Sequence, residues 1–365
     1  MPTAVVVGAG VFGSSLARQL AVDGWDVTLV EQAEPGWSGS SSGGESRLMR
    51  FAHGSEPWYA RSARRARELW REIDPSLLVE TGVVWFAYRD DGWEADSERI
   101  LRAEGIAVER LEPAEAGRLF PSLGGGDMAW ALLEPEAGVL RAGAAVRVLA
   151  EQAQEAGARI VRRRAHPDEP IEADRVVWAC GPWLPKLFPG LVEIRPALQE
   201  VVFLDAPPGW KRAPGWVDYD RSLYGHGDLG DGFKAAIDAE GPTADPDALG
   251  DLRGATEPLI RAYVAERFPA LRDARVRSFR PCPYELTADT HFVAAPHPEH
   301  SHMWLLGGGS GHGFKHGPAL AERMAAWLGG DEAPDARFAL GPRVADRSLR
   351  TAGARATPIG KRLVS

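Results

Sequence analysis

Apolar and amphipathic stretches alternate in a regular order over the first 31 residues. Residues 3–7 form an apolar run typical of a buried parallel strand, and residues 13–23 carry apolar positions at helical spacing. A second apolar run, residues 27–30, ends at Glu31. This order predicts a βαβ unit at the start of the chain.

The remaining chain continues the alternation of helical and strand-like patterns. Apolar and polar positions alternate over residues 196–240, which predicts antiparallel strands, and residues 80–135 carry further strand-like pieces. The segment 36–46 is rich in Gly and Ser, typical of a linker or of a loop that covers a ligand. The other predicted elements are helices over 58–73, 142–156, 255–268 and 318–328, and strands over 82–88, 158–161, 175–179, 291–295 and 303–306.

A strand, a glycine-rich turn and a helix return at residues 303–328, and they resemble a closing part of the first domain. We therefore predict an α/β fold with a discontinuous Rossmann-like domain and an inserted α+β domain built on a mixed, mainly antiparallel sheet. The predicted boundaries are 1–80, 140–196 and 280–345 for the nucleotide-binding domain, 81–139 and 197–279 for the substrate domain, and 346–365 for a C-terminal tail.

Composition narrows the class of protein. The 365 residues are 44% hydrophobic and 25% charged, which is typical of a globular protein. A net charge of −9 argues against nucleic-acid binding. The two cysteines, Cys180 and Cys282, fit a reducing compartment, and no leader or membrane-spanning segment is recognisable, so we expect a cytoplasmic protein without a membrane partner.

The first glycine motif predicts a dinucleotide site. Gly8 permits a tight turn, Gly10 lets backbone N–H groups approach a pyrophosphate, and Gly13 allows close packing of helix and strand. Glu31 is placed to bind a ribose diol and would repel a 2′-phosphate, which disfavours NADP but leaves NAD and FAD open. The adjacent residues assigned to the same site are Val11, Phe12 and Gln32.

A second glycine-rich segment, residues 307–315, ends in Lys315, which follows Cys282 by 33 positions. Its glycines would let backbone approach a flat ligand closely, although a plain loop has the same composition. His312 within it is either a base or a loop residue. Taken alone, Cys282 is expected to be a small buried apolar residue, and Cys180 is expected to pack at the end of a strand.

Taken together, these motifs resemble the monomeric sarcosine oxidase family, flavoprotein amine oxidases within the D-amino acid oxidase group. The resemblance extends from about Val5 to Phe338. The motifs that carry it are the N-terminal glycine turn and the segments 44–50, 180–183, 232–234, 282–284 and 310–315.

The resemblance implies FAD as cofactor, covalently bonded by Cys282 through the 8α-methyl group, where Arg280 would stabilise the reacting thiolate. It implies that Arg50 and Lys315 grip a substrate carboxylate and that Lys234 faces the flavin where O2 is reduced. It also implies a monomer that acts on a small amino acid, and we expect no metal. The further residues assigned to the cofactor are Ser42, Gly43, Ser46, Arg47, Cys180, Gly181, Gly311, His312, Gly313 and Phe314.

Two positions depart from the pattern of members that act on sarcosine. Those members carry a His just before the Arg pair, where this chain has Ser42 and Gly43, and a second His where this chain has Asp238. Tyr224 matches a tyrosine of the substrate site. Because the loss of two imidazoles makes room and changes polarity, we expect a larger or cyclic secondary amino acid rather than sarcosine.

The sequence supports an FAD-dependent amine oxidase that forms an imine and H2O2. Three alternatives remain open at this point. A flavin dehydrogenase would pass electrons to another acceptor, an NAD-dependent dehydrogenase would require the second glycine motif to be accidental, and a flavin-binding protein without turnover would leave Arg50, Lys234 and Lys315 without a role.

Overall fold

The computed structural model describes residues 1–124, 126–239 and 241–344; the predicted tail, 346–365, lies outside the described residues. The strands are β1 (Thr3–Val7), β2 (Asp26–Glu31), β3 (Ser46–Met49), β4 (Leu78–Val79), β5 (Val83–Ala87), β6 (Glu109–Leu111), β7 (Trp130–Glu134), β8 (Gly138–Arg141), β9 (Arg159–Arg162), β10 (Arg175–Trp178), β11 (Arg195–Leu204), β12 (Gly215–Asp218), β13 (Leu223–His226), β14 (Phe233–Ile237), β15 (Val276–Leu286), β16 (Val293–Pro296) and β17 (Met303–Gly307). The α-helices are α1 (Val11–Val22), α2 (Pro57–Ile73), α3 (Trp93–Ala103), α4 (Pro113–Gly117), α5 (Ala142–Glu155), α6 (Leu184–Leu187), α7 (Arg253–Arg267) and α8 (Gly317–Gly329).

The first sheet has the order β16-β17-β10-β1-β2-β9. Its neighbours pair in parallel except β16 and β17, which pair antiparallel. The strands come from the start, the middle and the end of the chain, as a discontinuous nucleotide-binding domain requires. Because β1, β2, β10 and β17 are parallel, their carboxyl ends meet along one edge of the sheet, where ligands of such folds bind.

Helix α1 packs against α5 and α8 beside this sheet. Its apolar face, Leu16, Ala17 and Leu20, is fully buried, as the helical spacing predicts. The predicted helices over 142–156 and 318–328 correspond to α5 and α8. The α/β fold class expected from the pattern is therefore confirmed.

The second sheet has the order β15-β11-β14-β13-β12-β5-β7-β6. Most of its pairs are antiparallel, but β12 pairs with β5 in parallel, so the sheet is mixed. Helix α7 covers one face, with Ile260, Tyr263 and Val264 in the core beneath it. A small third sheet, β3-β8-β4, adjoins these.

Three of the described helices escaped the sequence pattern: α3, and the short α4 and α6. Residues 93–103 lie in a region where we expected strand-like pieces, yet they form α3, with Trp93 and Leu101 buried. The remaining positions of α3 are mostly polar, and this obscures the helical period. No helix among the described residues has the length and apolar character needed to cross a membrane.

Candidate active site

The first glycine turn is built as its sequence predicts. Gly8 has a φ of +104°, and a Cβ added there would lie 2.5 Å from the Ala179 carbonyl oxygen. A Cβ on Gly13 would lie 1.8 Å from the Gly8 carbonyl oxygen. Ser42 Oγ accepts the Val11 N–H at 2.9 Å, just inside the first turn of α1. The turn thus places the amino end of α1, which favours an anion, beside the carboxyl end of β1.

Glu31 ends β2 beside this turn. Its carboxylate accepts the Ala9 N–H at 2.6 Å and the Ala33 N–H at 2.9 Å. Glu31 and Gln32 face a cavity, as do Arg163 and Arg164. The acid therefore lies where the sequence places the ribose of a dinucleotide.

This cavity extends from the carboxyl edge of the first sheet to the face of the second sheet. It encloses about 1640 Å³ of empty space, counting the part open to solvent. The predicted site residues that line it are Gly8, Gly10, Val11, Phe12, Glu31, Gln32, Ser42, Arg47, Arg50, Cys180, Gly181, Tyr224, Asp238, Gly311, His312, Gly313, Phe314 and Lys315. The predicted residues that lie behind the lining are Gly13, Gly43, Ser46, Lys234 and Cys282.

Arg47 holds the glycine- and serine-rich loop against the cavity. Its Nη2 donates to the carbonyl oxygens of Ser41 at 2.7 Å and Gly43 at 2.9 Å, and its Nη1 donates to Ser46 O at 2.8 Å. The guanidinium carbon lies 5.7 Å from the ring centroid of Phe314. These contacts support a role in ordering the loop rather than in contacting substrate.

Arg50 is buried and points into the cavity. Its Nη1 donates to Ala52 O at 2.5 Å, and its guanidinium carbon lies 5.1 Å from the Trp85 ring centroid. Burial lowers the pKa of Arg50, and the nearby carboxylates of Glu134 and Asp238 oppose this shift. The geometry leaves part of the planar fork available to an anion in the cavity.

Glu134, which was not predicted from the sequence, helps to position Arg50. Its Oε2 accepts the backbone N–H groups of Phe51 at 2.5 Å and Ala52 at 2.9 Å, and its Oε1 accepts Trp85 Nε1–H at 2.5 Å. The carboxyl is fully buried, and burial raises its pKa. Glu134 therefore fixes the two groups, Ala52 O and the Trp85 ring, that position Arg50.

Lys315 is the second buried cation of the cavity. Its Nζ donates to His312 O at 2.9 Å, and its own carbonyl accepts Trp70 Nε1–H at 2.8 Å. Burial, followed by the charge of Arg50, holds the pKa of Lys315 well below its usual range. An anion bound between the two side chains would favour the charged form of Lys315.

Lys234 lies behind the cavity wall on β14, where its Nζ donates to Ser46 O at 2.9 Å and to Ser46 Oγ at 3.3 Å. Ser46 Oγ also contacts His226 Nε2 at 2.7 Å. Burial, followed by the charges of Arg47 and Arg280, holds the pKa of Lys234 well below its usual range. A buried amine at this position can gain a proton when negative charge develops nearby.

The two cysteines differ in their surroundings. Cys282 on β15 is buried, and its Sγ lies 3.6 Å from Arg47 Nη2. Cys180 lines the cavity, but burial raises the pKa of its thiol, and the charges of Glu31 and Glu285 raise it further. Because a thiolate is the reactive form, these surroundings disfavour Cys180 as a nucleophile.

The far end of the cavity is aromatic. Trp93 lies between Trp85 and Tyr219, with ring centroids 4.6 Å apart on each side; it stacks on Tyr219 and is tilted against Trp85. Tyr224 OH lies 3.0 Å from Tyr284 OH, and burial raises the pKa of Tyr224 to about 12. Asp238 completes this end of the lining. The aromatic rings give this end of the cavity an apolar surface.

Glu285 is a further lining residue that sequence reasoning missed. Its Oε2 accepts the Gly308 N–H at 3.0 Å, and burial raises its pKa to about 7. In the sequence, Glu285 lies three positions after Cys282 and belongs to no recognisable motif that would have predicted its role. Its partner lies on the other glycine-rich turn, 23 positions away.

Replacing Glu285 by Gln is expected to flatten the pH dependence of stability. The folded protein holds this proton up to about pH 7, whereas the unfolded chain releases it near pH 4.5, so wild-type stability falls as pH rises through this interval. The free-energy change is about 3 kcal/mol at most, and less where solvent reaches the cavity. Tm measured from pH 4.5 to 8 should therefore favour Glu285→Gln increasingly, whereas exposed Glu299→Gln should follow the wild type. Parallel curves for wild type and Glu285→Gln would refute the assigned shift.

The glycine turn at the carboxyl edge of a parallel sheet, and a cavity from this turn to buried cations, are typical of a dinucleotide-dependent oxidoreductase. The chain belongs to the FAD dependent oxidoreductase family, whose sequence profile matches residues 3–327. The cofactor is therefore FAD, which resolves the choice that the first glycine motif left open.

Two curated relatives cover most of the chain. Monomeric sarcosine oxidase from Bacillus sp. (strain B-0618) is 27% identical over 357 residues, covering 88% of this chain and 90% of the relative. N-methyl-L-tryptophan oxidase from Yersinia pestis (strain Pestoides F) is 26% identical over 362 residues, covering 88% and 93%. The resemblance seen in the motifs and the expected class, a sarcosine oxidase-like flavin-dependent oxidoreductase, are confirmed.

A solved structure supports the fold. L-proline dehydrogenase from P. horikoshii superposes with a TM-score of 0.82 at 21% identity, over 91% of this chain and 94% of that chain.

The residues present fit FAD. A side chain at Gly8 would clash with the backbone of Ala179, and one at Gly13 with the Gly8 carbonyl, so only glycine allows the close packing that brings the amino end of α1 to a pyrophosphate. The cavity then continues past Cys180 to Gly311, Gly313 and Lys315, which gives room for the flavin ring.

Proposed function

We propose that this protein oxidises the C–N bond of a secondary, cyclic or N-methyl amino acid to an imine and passes the electrons to O2. The observation that carries the proposal is the presence of two buried cations, Arg50 and Lys315, in the lining that also holds the second glycine turn. Binding FAD alone requires neither of them. A planar fork and a point charge together suit a carboxylate.

FAD, held along the two glycine turns, would supply the acceptor for a hydride equivalent from the carbon beside the amine and the two electrons for O2. The chain's own residues position the substrate: Arg50 and Lys315 hold its carboxylate, and Tyr224 and Asp238 face the amine end. The reaction balances as amine plus O2 to imine plus H2O2, and water then hydrolyses a non-cyclic imine.

The substrate class follows from the aromatic end of the cavity. Trp85, Trp93 and Tyr219 offer ring faces, and Asp238 adds a carboxyl to the same cavity, at the position that the family resemblance matches to an imidazole. A substrate with an apolar or ring-shaped side chain would bury that surface. The two relatives support this range, since one is named for sarcosine and the other for N-methyl-L-tryptophan.

The test is peroxide release in air over a panel of N-methyl, cyclic and D-amino acids, each compared with its decarboxylated amine. We expect one H2O2 for each imine formed and a strong preference for the carboxylate-bearing member of each pair. Turnover that requires an added electron acceptor and yields no peroxide would instead identify a dehydrogenase.

The attachment of FAD through Cys282 is part of the proposal. Cys282→Ala is expected to release all FAD on denaturation, because the thioether to the 8α-methyl group cannot form, whereas wild-type FAD should stay with the unfolded chain. Flavin fluorescence of the protein band in a denaturing gel measures this, with Cys180→Ala as the matched control. Release of FAD from denatured wild type would overturn the attachment.

A further inference from the structure

Three buried histidines lie together beside the cavity: His53, which follows β3, and His312 and His316, which flank Lys315. One ring nitrogen from each lies within 4.8 Å of the corresponding nitrogens of the other two. His53 Nε2 and His316 Nε2 are 3.4 Å apart. The flavin chemistry proposed above uses neither His53 nor His316.

The outward-facing nitrogens of this histidine cluster are already engaged. His53 Nδ1 lies 2.8 Å from Phe51 O, which requires an N–H at Nδ1 and leaves the lone pair on Nε2. His316 Nδ1 lies 3.0 Å from Ser62 Oγ, a hydroxyl that can accept as well as donate. Because the lone pair of His53 is on Nε2, His316 Nε2–H can donate to it across the 3.4 Å contact. A shift of the His316 proton to Nδ1, where Ser62 Oγ can accept it, would give both rings Nε2 lone pairs that point to the same place.

His312 completes the arrangement. Its Nε2 lies 2.8 Å from Thr290 O, so the proton is on Nε2 and the lone pair on Nδ1. Within the described part of the chain, His312 Nδ1 is buried without a hydrogen-bond partner. Histidines that bind metals almost always donate their second ring N–H to such an acceptor, which fixes both tautomer and orientation.

We propose that His53, His312 and His316 form a binding site for a late first-row transition-metal ion such as Zn²⁺. In a tetrahedral site with metal–nitrogen distances of about 2.0–2.1 Å, neighbouring nitrogens are about 3.3 Å apart. The pair His53 and His316 already has about this spacing, and one ring nitrogen of His312 lies within 4.8 Å of both, so a movement of the His312 ring would complete the set. Three imidazoles and one open position form a familiar zinc site.

The charges around the cluster act in both directions. Burial holds the pKa values of His53, His312 and His316 well below their usual range, which keeps them in the neutral form that binds metals. The nearby cations of Lys315 and Arg50 oppose a bound cation, and buried Glu134 offsets part of their charge. We therefore expect specific binding that is weaker than at a dedicated structural zinc site. A bound ion would fix the turn that carries Lys315.

The test is a titration of the metal-stripped, flavin-loaded enzyme with Zn²⁺ in competition with a chromogenic chelator. We expect one Zn²⁺ per wild-type chain and at least a tenfold loss of affinity in His53→Gln and in His316→Gln. The control is His300→Gln, from the exposed group that also contains His297 and His302, which should bind as wild type does.

A spectroscopic measurement on the wild type keeps the test independent of the variants. Co²⁺ at this site is expected to give the strong visible absorption of a tetrahedral ion, to the red of the flavin bands. The proposal is overturned if wild type binds no stoichiometric ion, if the Co²⁺ spectrum is octahedral and weak, or if only His300→Gln loses the ion. None of these outcomes affects the proposed amine oxidation, which is measured by peroxide release.

Discussion

Replacing Arg50 by Gln is expected to lower kcat/KM for the amino acid substrate about 10²- to 10³-fold. Removing one partner of a buried, hydrogen-bonded charge pair costs about 2–5 kcal/mol, and each 1.4 kcal/mol is about a factor of ten. Arg50 meets the conditions for an effect of this size, because it is buried and fixed by Ala52 O and the Trp85 ring. Gln keeps a donor but removes the charge and the fork.

The measurement compares each amino acid with the matching amine that lacks the carboxylate. The loss should be confined to the amino acid, and Lys315→Met should produce the same selective loss. Combining the two substitutions should cost less than the sum, since both act on one anion. The control is Arg261→Gln, a half-exposed arginine paired with Glu257 on α7, which should leave kcat/KM unchanged. An equal fall for amine and amino acid would mean that Arg50 serves the fold rather than the carboxylate.

The site residues that could be identified without the family resemblance are those whose role is local. Gly8 and Gly13 have a stereochemical reason at their own positions, and Lys315 ends a glycine-rich turn within one segment. The βαβ unit was predictable because its periods lie within 31 residues. These features need no knowledge of the tertiary fold.

The residues that sequence reasoning missed act across long sequence separations. Glu134 contacts the backbone of Phe51 from 83 positions away, and His316 meets His53 from 263 positions away. Such partners become neighbours only when β3, β7 and the second glycine turn are assembled. A buried Glu in a strand has no sequence pattern that separates it from a surface Glu, and an isolated His has none either. The depth of Lys234 behind Ser46 was likewise invisible in the sequence.

Replacing Lys234 by Met is expected to lower the rate at which O2 oxidises the reduced enzyme about 10²- to 10³-fold, the size of effect typical for one preorganised electrostatic group. The buried Nζ lies against Ser46, and burial, followed by the charges of Arg47 and Arg280, holds the pKa of Lys234 low. Reduction of O2 creates negative charge that a protonated Lys234 would stabilise, whereas Met supplies similar volume without charge. The wild-type oxygen rate should therefore fall as pH rises through the lowered pKa, and the Met variant should lose this dependence.

Two half-reactions separate this role of Lys234 from a structural one. Anaerobic reduction of the flavin by substrate should change less than about tenfold in Lys234→Met, because the carboxylate site on Arg50 and Lys315 is left intact. Reoxidation by O2, followed by stopped-flow absorbance, should carry the main loss. The control is Lys211→Met, an exposed lysine in the turn Pro208–Arg212. An unchanged reoxidation rate would show that Lys234 has no role in the reaction with O2. Equal losses in the reduction and reoxidation rates would instead indicate that Lys234 serves the packing around Ser46.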